Sequence, residues 1–128
     1  GIGSPRGALM NDGTLTVNSL EIRNNIFVPG GPARLFQSGT IGFSAVATKM
    51  SNNLWFNGGG PFSGTANATG NPQFVATTPG SENLRLQSTS SPAYCTGTNT
   101  VAGIVLNDFD LIDRPQGVCF SMGAFEFH

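Results

Sequence analysis

The only close group of carboxylates in this chain is Asp108, Asp110 and Asp113. Clustered carboxylate oxygens are ligands for a hard cation, and calcium is the ion they suit. The spacing lacks the glycine and the distal glutamate of an EF-hand loop, so a second reading stands beside the first. In it the three acids belong to a surface turn paired to Arg114 and Glu126, because a bidentate arginine–carboxylate bond holds a loop well. Glycoside hydrolysis needs two carboxylates facing one cleft, and the chain's seven acids offer such a pair only in this terminal loop. The single histidine is the last residue, His128. No Ser-His-Asp or Cys-His set follows from these positions, so no catalytic residue is assigned. Trp55, with Phe56 and Phe62, offers aromatic faces on which a sugar ring stacks. Aromatics in a strand-rich chain are more often core, which is the better reading for Phe56 and Phe62 and leaves Trp55 as the candidate binding residue.

Those residues must be positioned by a chain with an unusual composition. It has 128 residues, enough for one domain, and only 10% are charged, against about 25% in an average domain. Glycine contributes 18 residues, with Asn, Ser and Thr also abundant. These are poor in helix interiors, while Thr, Val, Ile and Phe suit strands, so the chain reads as all-β with many turns. The net charge is −1 and the five Arg and one Lys are scattered. Nucleic-acid binding needs a clustered basic footprint, and none is visible. No apolar run approaches the ~20 residues of a membrane-crossing helix, and no cofactor is implied beyond the calcium reading.

A repeat organises the first half. Ile22-Arg23-Asn24-Asn25-Ile26-Phe27 recurs as Met50-Ser51-Asn52-Asn53-Leu54-Trp55, displaced by 28 residues, with a fainter third copy at Asn83-Leu84-Arg85-Leu86. Periods of this size mark stacked units. If each unit returns the chain to one face a strand spacing higher, ~4.8 Å, Ile26 and Leu54 continue one apolar stack. Asn25 and Asn53 then form an amide ladder at a tight turn, where asparagine tolerates left-handed backbone. Further along, Phe74-Val75-Ala76 and Leu84-Arg85-Leu86 read as short strands flanking the turn Pro79-Gly80. Residues 101–106 read as a buried strand from their apolar run. Asn67-Ala68-Thr69 fits the N-glycosylation pattern.

The second half carries a resemblance. Asn71-Pro72-Gln73-Phe74, Leu84-Arg85-Leu86, Ser91-Pro92-Ala93-Tyr94, Asp108-Phe109-Asp110 with Arg114-Pro115, and Gly123-Ala124-Phe125-Glu126 occur in that order. Together they resemble the C-terminal end of right-handed parallel β-helix proteins of the pectate-lyase-like type. The resemblance implies a right-handed parallel β-helix, here of about four to six coils. It also implies structural roles for Arg114 and Glu126 in closing the last coil. Two positions depart from the pattern: Leu111 stands where the family has glycine after the second Asp, and Ser121 where its ending has Asp. A β-sandwich or jelly roll is the alternative fold, since turn-rich β chains of this size often build one.

On the solenoid reading, residues 1–13 are a loose lead-in, residues 107–128 close the stack, and residues 1–128 form one domain. Cys95 and Cys119 lie 24 residues apart, about one coil. Neighbours on adjacent coils are within disulfide range; two buried thiols acting as small hydrophobes are the other reading. A terminal coil exposes unpaired backbone unless capped. Nothing comparable to the closing segment precedes Leu15, so a homodimer through the N-terminal coil is expected. The functional expectation is a non-catalytic module, structural or binding carbohydrate or protein, in a secreted or cell-surface setting. A polysaccharide lyase or glycoside hydrolase, or a fragment of one, is the alternative.

Overall fold

A computed structural model of the chain describes residues 21–28, 50–57 and 64–128. Regular structure within them is mostly strand, in small open sheets, with one short 3₁₀ turn and no α-helix. The strands are β1 (Ile22–Arg23), β2 (Ile26–Phe27), β3 (Met50–Ser51), β4 (Leu54–Trp55), β5 (Ala68–Thr69), β6 (Phe74–Ala76) and β7 (Asn83–Leu86).

The six-residue repeat stacks upon itself in parallel. Ile22 pairs with Met50 and Arg23 with Ser51, while Ile26 pairs with Leu54 and Phe27 with Trp55. The main-chain bonds across β2 and β4 run from Leu54 N–H to Asn25 C=O at 2.8 Å and from Phe56 N–H to Phe27 C=O at 3.0 Å. A third rung follows after only 14 residues rather than 28: β5 continues the sheet in the order β2-β4-β5, with Leu54 opposite Ala68 and Trp55 opposite Thr69. Ser51 bridges Thr65 in parallel below it. The faint third copy at residues 83–86 is therefore not a rung. The two short strands expected on either side of the turn at residues 79–80 are present, and β7 turns back antiparallel on β6.

Each rung bends at the same place for the same reason. Asn24, Asn52 and Ala66 hold φ of 58°, 54° and 54°, a left-handed conformation that asparagine tolerates and alanine resists. The next residue on each rung is an asparagine whose amide faces the next rung. Asn53 Oδ1 accepts from Asn25 N–H and Nδ2, both at 3.1 Å. Asn67 Oδ1 accepts from Asn53 N–H at 3.0 Å and Nδ2 at 3.1 Å. Asn53 Nδ2 also donates to Ile22 C=O at 2.9 Å. The ladder thus satisfies backbone groups that a bend would otherwise leave unpaired. No side chain fits at Gly64, where a Cβ would fall on the Met50 carbonyl oxygen.

Inside the bend lies a small apolar core of Leu54, Leu86, Ala93 and Met122, with Ile26, Ala68, Phe74, Tyr94 and Phe127 packed around it. It joins the rungs, the hairpin and the C-terminal segment. The run at residues 101–106 does not join it. A 3₁₀ turn at Asn99–Val101 leads into an exposed stretch, with Ile104 81% exposed. Apolar composition made that run look buried, but Ile104, Val105 and Leu106 are exposed. The residues before Glu21, where the N-terminal coil, its dimer contact and the lead-in segment were expected, lie outside the described residues, as does Phe62.

Candidate functional site

The segment from residue 91 to the end is fastened to the rungs by the bend asparagines. Asn24 clamps Thr98 twice, accepting its N–H at 2.7 Å through Oδ1 and donating Nδ2 to its C=O at 3.1 Å. Asn52 Nδ2 donates to Thr96 C=O at 2.9 Å. Gly123 N–H donates to Asn24 C=O at 2.7 Å. A Cβ on Gly123, whose φ is 101°, would sit 2.9 Å from Ile26 Cδ1. The repeat therefore carries two asparagines with different tasks. The first of each pair holds the closing segment and the second builds the ladder. Sequence reasoning found the second task, while the first depends on a partner some 74 residues away.

The Cys95 and Cys119 sulfurs are bonded, with Cα atoms 5.1 Å apart. Their bond ties the start of the segment to its end, beside Gly97 N–H donating to Phe120 C=O at 2.9 Å and Met122 N–H to Ala93 C=O at 2.9 Å.

The three aspartates do not converge. Asp108 is buried and acts as a backbone hub: Oδ1 accepts Asp110 N–H at 2.8 Å and Ile112 N–H at 3.0 Å, and Oδ2 accepts Glu126 N–H at 3.0 Å. Burial pushes its carboxyl upward, but those three N–H donors and the Arg114 charge outweigh it and hold it below the usual carboxylate range. Asp110 pairs with Arg85, which donates to its Oδ2 through both Nε and a terminal nitrogen. Asp113 Oδ1 accepts from Asn107 Nδ2 at 2.9 Å. Among the described residues no three acid, histidine or cysteine side chains gather where one ion would fit. Leu111, standing at the glycine position of the resembling pattern, takes the left-handed φ of 65°.

Glu126 and Arg114 form the buried ion pair of the site. Arg114 Nη1 lies 3.6 Å from Glu126 Oε1, and its Nη2 donates to Gly123 C=O at 2.8 Å. Both Glu126 oxygens accept Ser121 N–H, at 3.1 and 3.2 Å. Burial pushes the Glu126 carboxyl above its ordinary value; the Ser121 N–H and Arg114 offset part of the rise, and the Asp108 charge adds to it. Among the described residues Asp108 and Glu126 come closest to a carboxylate pair, yet both are buried and spent on backbone donors. Neither faces a cleft as a glycosidase acid must.

Trp55 is not a surface platform. It is 3% exposed and stacks on Phe27 with ring centroids 4.5 Å apart at 20°. The register that pairs residues 27 and 55 along the repeat lays one ring on the other. A cavity of about 300 Å³ opens between the first rung, the hairpin and the closing segment, lined by Asn25, Ile26, Phe74, Leu84, Gly123 and Ala124. None of these titrates, so the described part of its wall supplies no general acid or base. Asn67, the acceptor of the glycosylation triplet, is the third ladder rung, and its Nδ2 is buried. A glycan on that nitrogen is incompatible with its burial. Comparison of the chain with protein-family models, with curated proteins and with solved structures finds no match.

Proposed function

We propose that this chain is the closing end of a parallel β-helix and works as a non-catalytic module that joins other polypeptide rather than transforming a substrate. The observation that carries this is the amide ladder of Asn25, Asn53 and Asn67, built on parallel strands in constant register. Such a ladder forms where successive coils superpose, which is the geometry of a solenoid. Further support comes from the closing segment, whose carboxylates are committed to backbone N–H groups and arginines rather than to a cleft. Carbohydrate binding has less support, because Trp55 is stacked inside the molecule. The disulfide favours an oxidising, secreted or cell-surface setting.

Two measurements test this reading. Nuclear Overhauser contacts should run from Ile26 to Leu54 and from Leu54 to Ala68, and a sandwich would lack them. Incubation with plant, algal and bacterial polysaccharides should yield neither new reducing ends nor unsaturated ends. Appearance of either product would replace the proposal with the lyase or hydrolase reading.

A further inference from the structure

The Cys95–Cys119 bond closes a loop whose ends are 24 residues apart in sequence, and one stretch inside that loop stands away from the core. Residues 102–107 are exposed throughout, with Ile104, Val105 and Leu106 at 81%, 40% and 60%. The main-chain bonds donated by this stretch are local. Ala102 N–H donates to Asn99 C=O at 2.9 Å, and Ile104 and Val105 N–H both donate to Val101 C=O at 3.0 Å. Gly103 takes a left-handed φ of 84°, with open space where a Cβ would stand. Opening such a turn breaks no core contact, so its free-energy cost lies at the low end of local unfolding.

Both flanks are held by distant residues. Upstream, Asn24 clamps Thr98, and Arg23 Nη1 donates to Thr100 Oγ1 at 2.9 Å. Downstream, Arg114 N–H donates to Leu106 C=O and Asp108 N–H to Ile112 C=O, both at 2.8 Å. The Asp108 carboxylate gathers its three N–H donors beyond that point. A chain cut between residues 102 and 106 keeps all of these bonds, and the disulfide joins the two pieces. Exposed loops of this kind are where nicking concentrates.

The side chains define the enzyme that fits. Ala102, Ile104, Val105 and Leu106 are aliphatic, and residues 99–107 carry no charge. A protease that requires a cationic side chain has no site here, whereas one with apolar pockets has several.

We infer that residues 102–106 are a processing site for an endoprotease selective for aliphatic side chains, and that the processed form is two chains joined by the Cys95–Cys119 bond. Hydrolysis adds one water across a peptide bond. The C–N bond breaks, the hydroxyl goes to the carbonyl carbon and the proton to the nitrogen. The new carboxylate and ammonium emerge in solvent, so neither charge is desolvated.

Pancreatic elastase, added sparingly to the intact chain without reductant, is the probe. Reduction of the product should yield fragments that meet between residues 102 and 106, while the same sample left unreduced keeps them joined. The Thr98 amide should stay protected from exchange after the cut, and the cleavage rate should be flat in low urea, because the opening is local. Ile104→Ser combined with Val105→Ser and Leu106→Ser removes the aliphatic side chains at exposed positions. Cleavage of this variant should slow at least roughly tenfold, with the urea midpoint of the uncut chain unchanged. An intact segment 102–106 after digestion, a rate that climbs with urea as global unfolding does, or equal rates for the two chains overturns the inference. Loss of Thr98 protection on cutting overturns it as well, because the flanks would then fail to hold the processed form together.

Discussion

The stacked rungs and the closing segment solve the same problem, how to bend a chain without orphaning its backbone, with different chemistry. In the rungs the bend is neutral and repeated. An asparagine or alanine takes the left-handed turn and the following amide serves the rung beside it. In the closing segment the bend is charged and made once. Asp108 gathers three N–H groups, Glu126 gathers a fourth, and Arg114 compensates the charge. The amide device propagates, because every asparagine is both donor and acceptor. The carboxylate device terminates, because an ionised carboxylate only accepts. The difference lies in what each group can hand on: an amide passes a hydrogen bond to a further strand, and an ionised carboxylate does not.

The largest effect should come from breaking the charged device. Arg114→Met leaves the buried Glu126 uncompensated, and the expected loss is about 3–5 kcal/mol by chemical denaturation. Adding Glu126→Gln should recover part of that loss, because the charge left behind is removed. A double variant no more stable than Arg114→Met alone would show that the pair contributes little as an ion pair.

Next is the centre of the ladder. Asn53→Ala withdraws the acceptor of Asn25 and the donor to Ile22 C=O and Asn67 at a fully buried position. The expected cost is about 3 kcal/mol, against less than about 1 kcal/mol for Asn25→Ala, because Asn25 is exposed and water replaces its bonds. Equal costs at the two positions would mean that burial does not set the strength of these bonds.

Acid should separate the regions without any change in the rungs, whose amides do not titrate. The Asp108 carboxyl is held low, so its contribution is complete above its unfolded value and is lost as pH falls through the folded value. The Glu126 carboxyl is held high, so its contribution is complete below its unfolded value and is lost as pH rises through the folded value. The two slopes oppose in the acid range and should flatten the response of the unmodified chain. In Asp108→Asn the Glu126 slope remains, and the urea midpoint should rise as pH is lowered from neutral toward 4. In Glu126→Gln the midpoint should instead fall below about pH 4, the ordinary carboxylate range.

The smallest effect tests the third rung. Ala66 occupies the bend position that Asn24 and Asn52 fill below it, in a conformation alanine resists. Ala66→Asn or Ala66→Gly should stabilise by about 0.5–1 kcal/mol, read as a raised thermal midpoint. No gain would place residue 66 outside the left-handed region in solution.

How much of this was legible in the chain follows from what each interaction requires. The register of the first two rungs was readable, because stacking like on like forces a repeat in the sequence, and Ile26, Leu54, Asn25 and Asn53 carry it. The strands on either side of the turn at residues 79–80 were readable, because the turn is local, but their antiparallel pairing was not. The third rung was not. Its spacing is half the first, and Ala68 and Thr69 lack the apolar weight of Ile26 and Phe27, so a ladder asparagine looked like a glycosylation triplet. The burial of Trp55 and the exposure of residues 104–106 were also out of reach, since burial belongs to the layer opposite and not to the side chain. The sequence by itself determined strand content, the amide repeat and the arginine and glutamate of the closing loop. Only the tertiary structure decided that Asn24 and Asn52 hold residues 96–98, that the three aspartates part company, and that Cys95 meets Cys119. Each of those needs two distant segments to arrive at one place, and no local pattern of residue types encodes such a meeting.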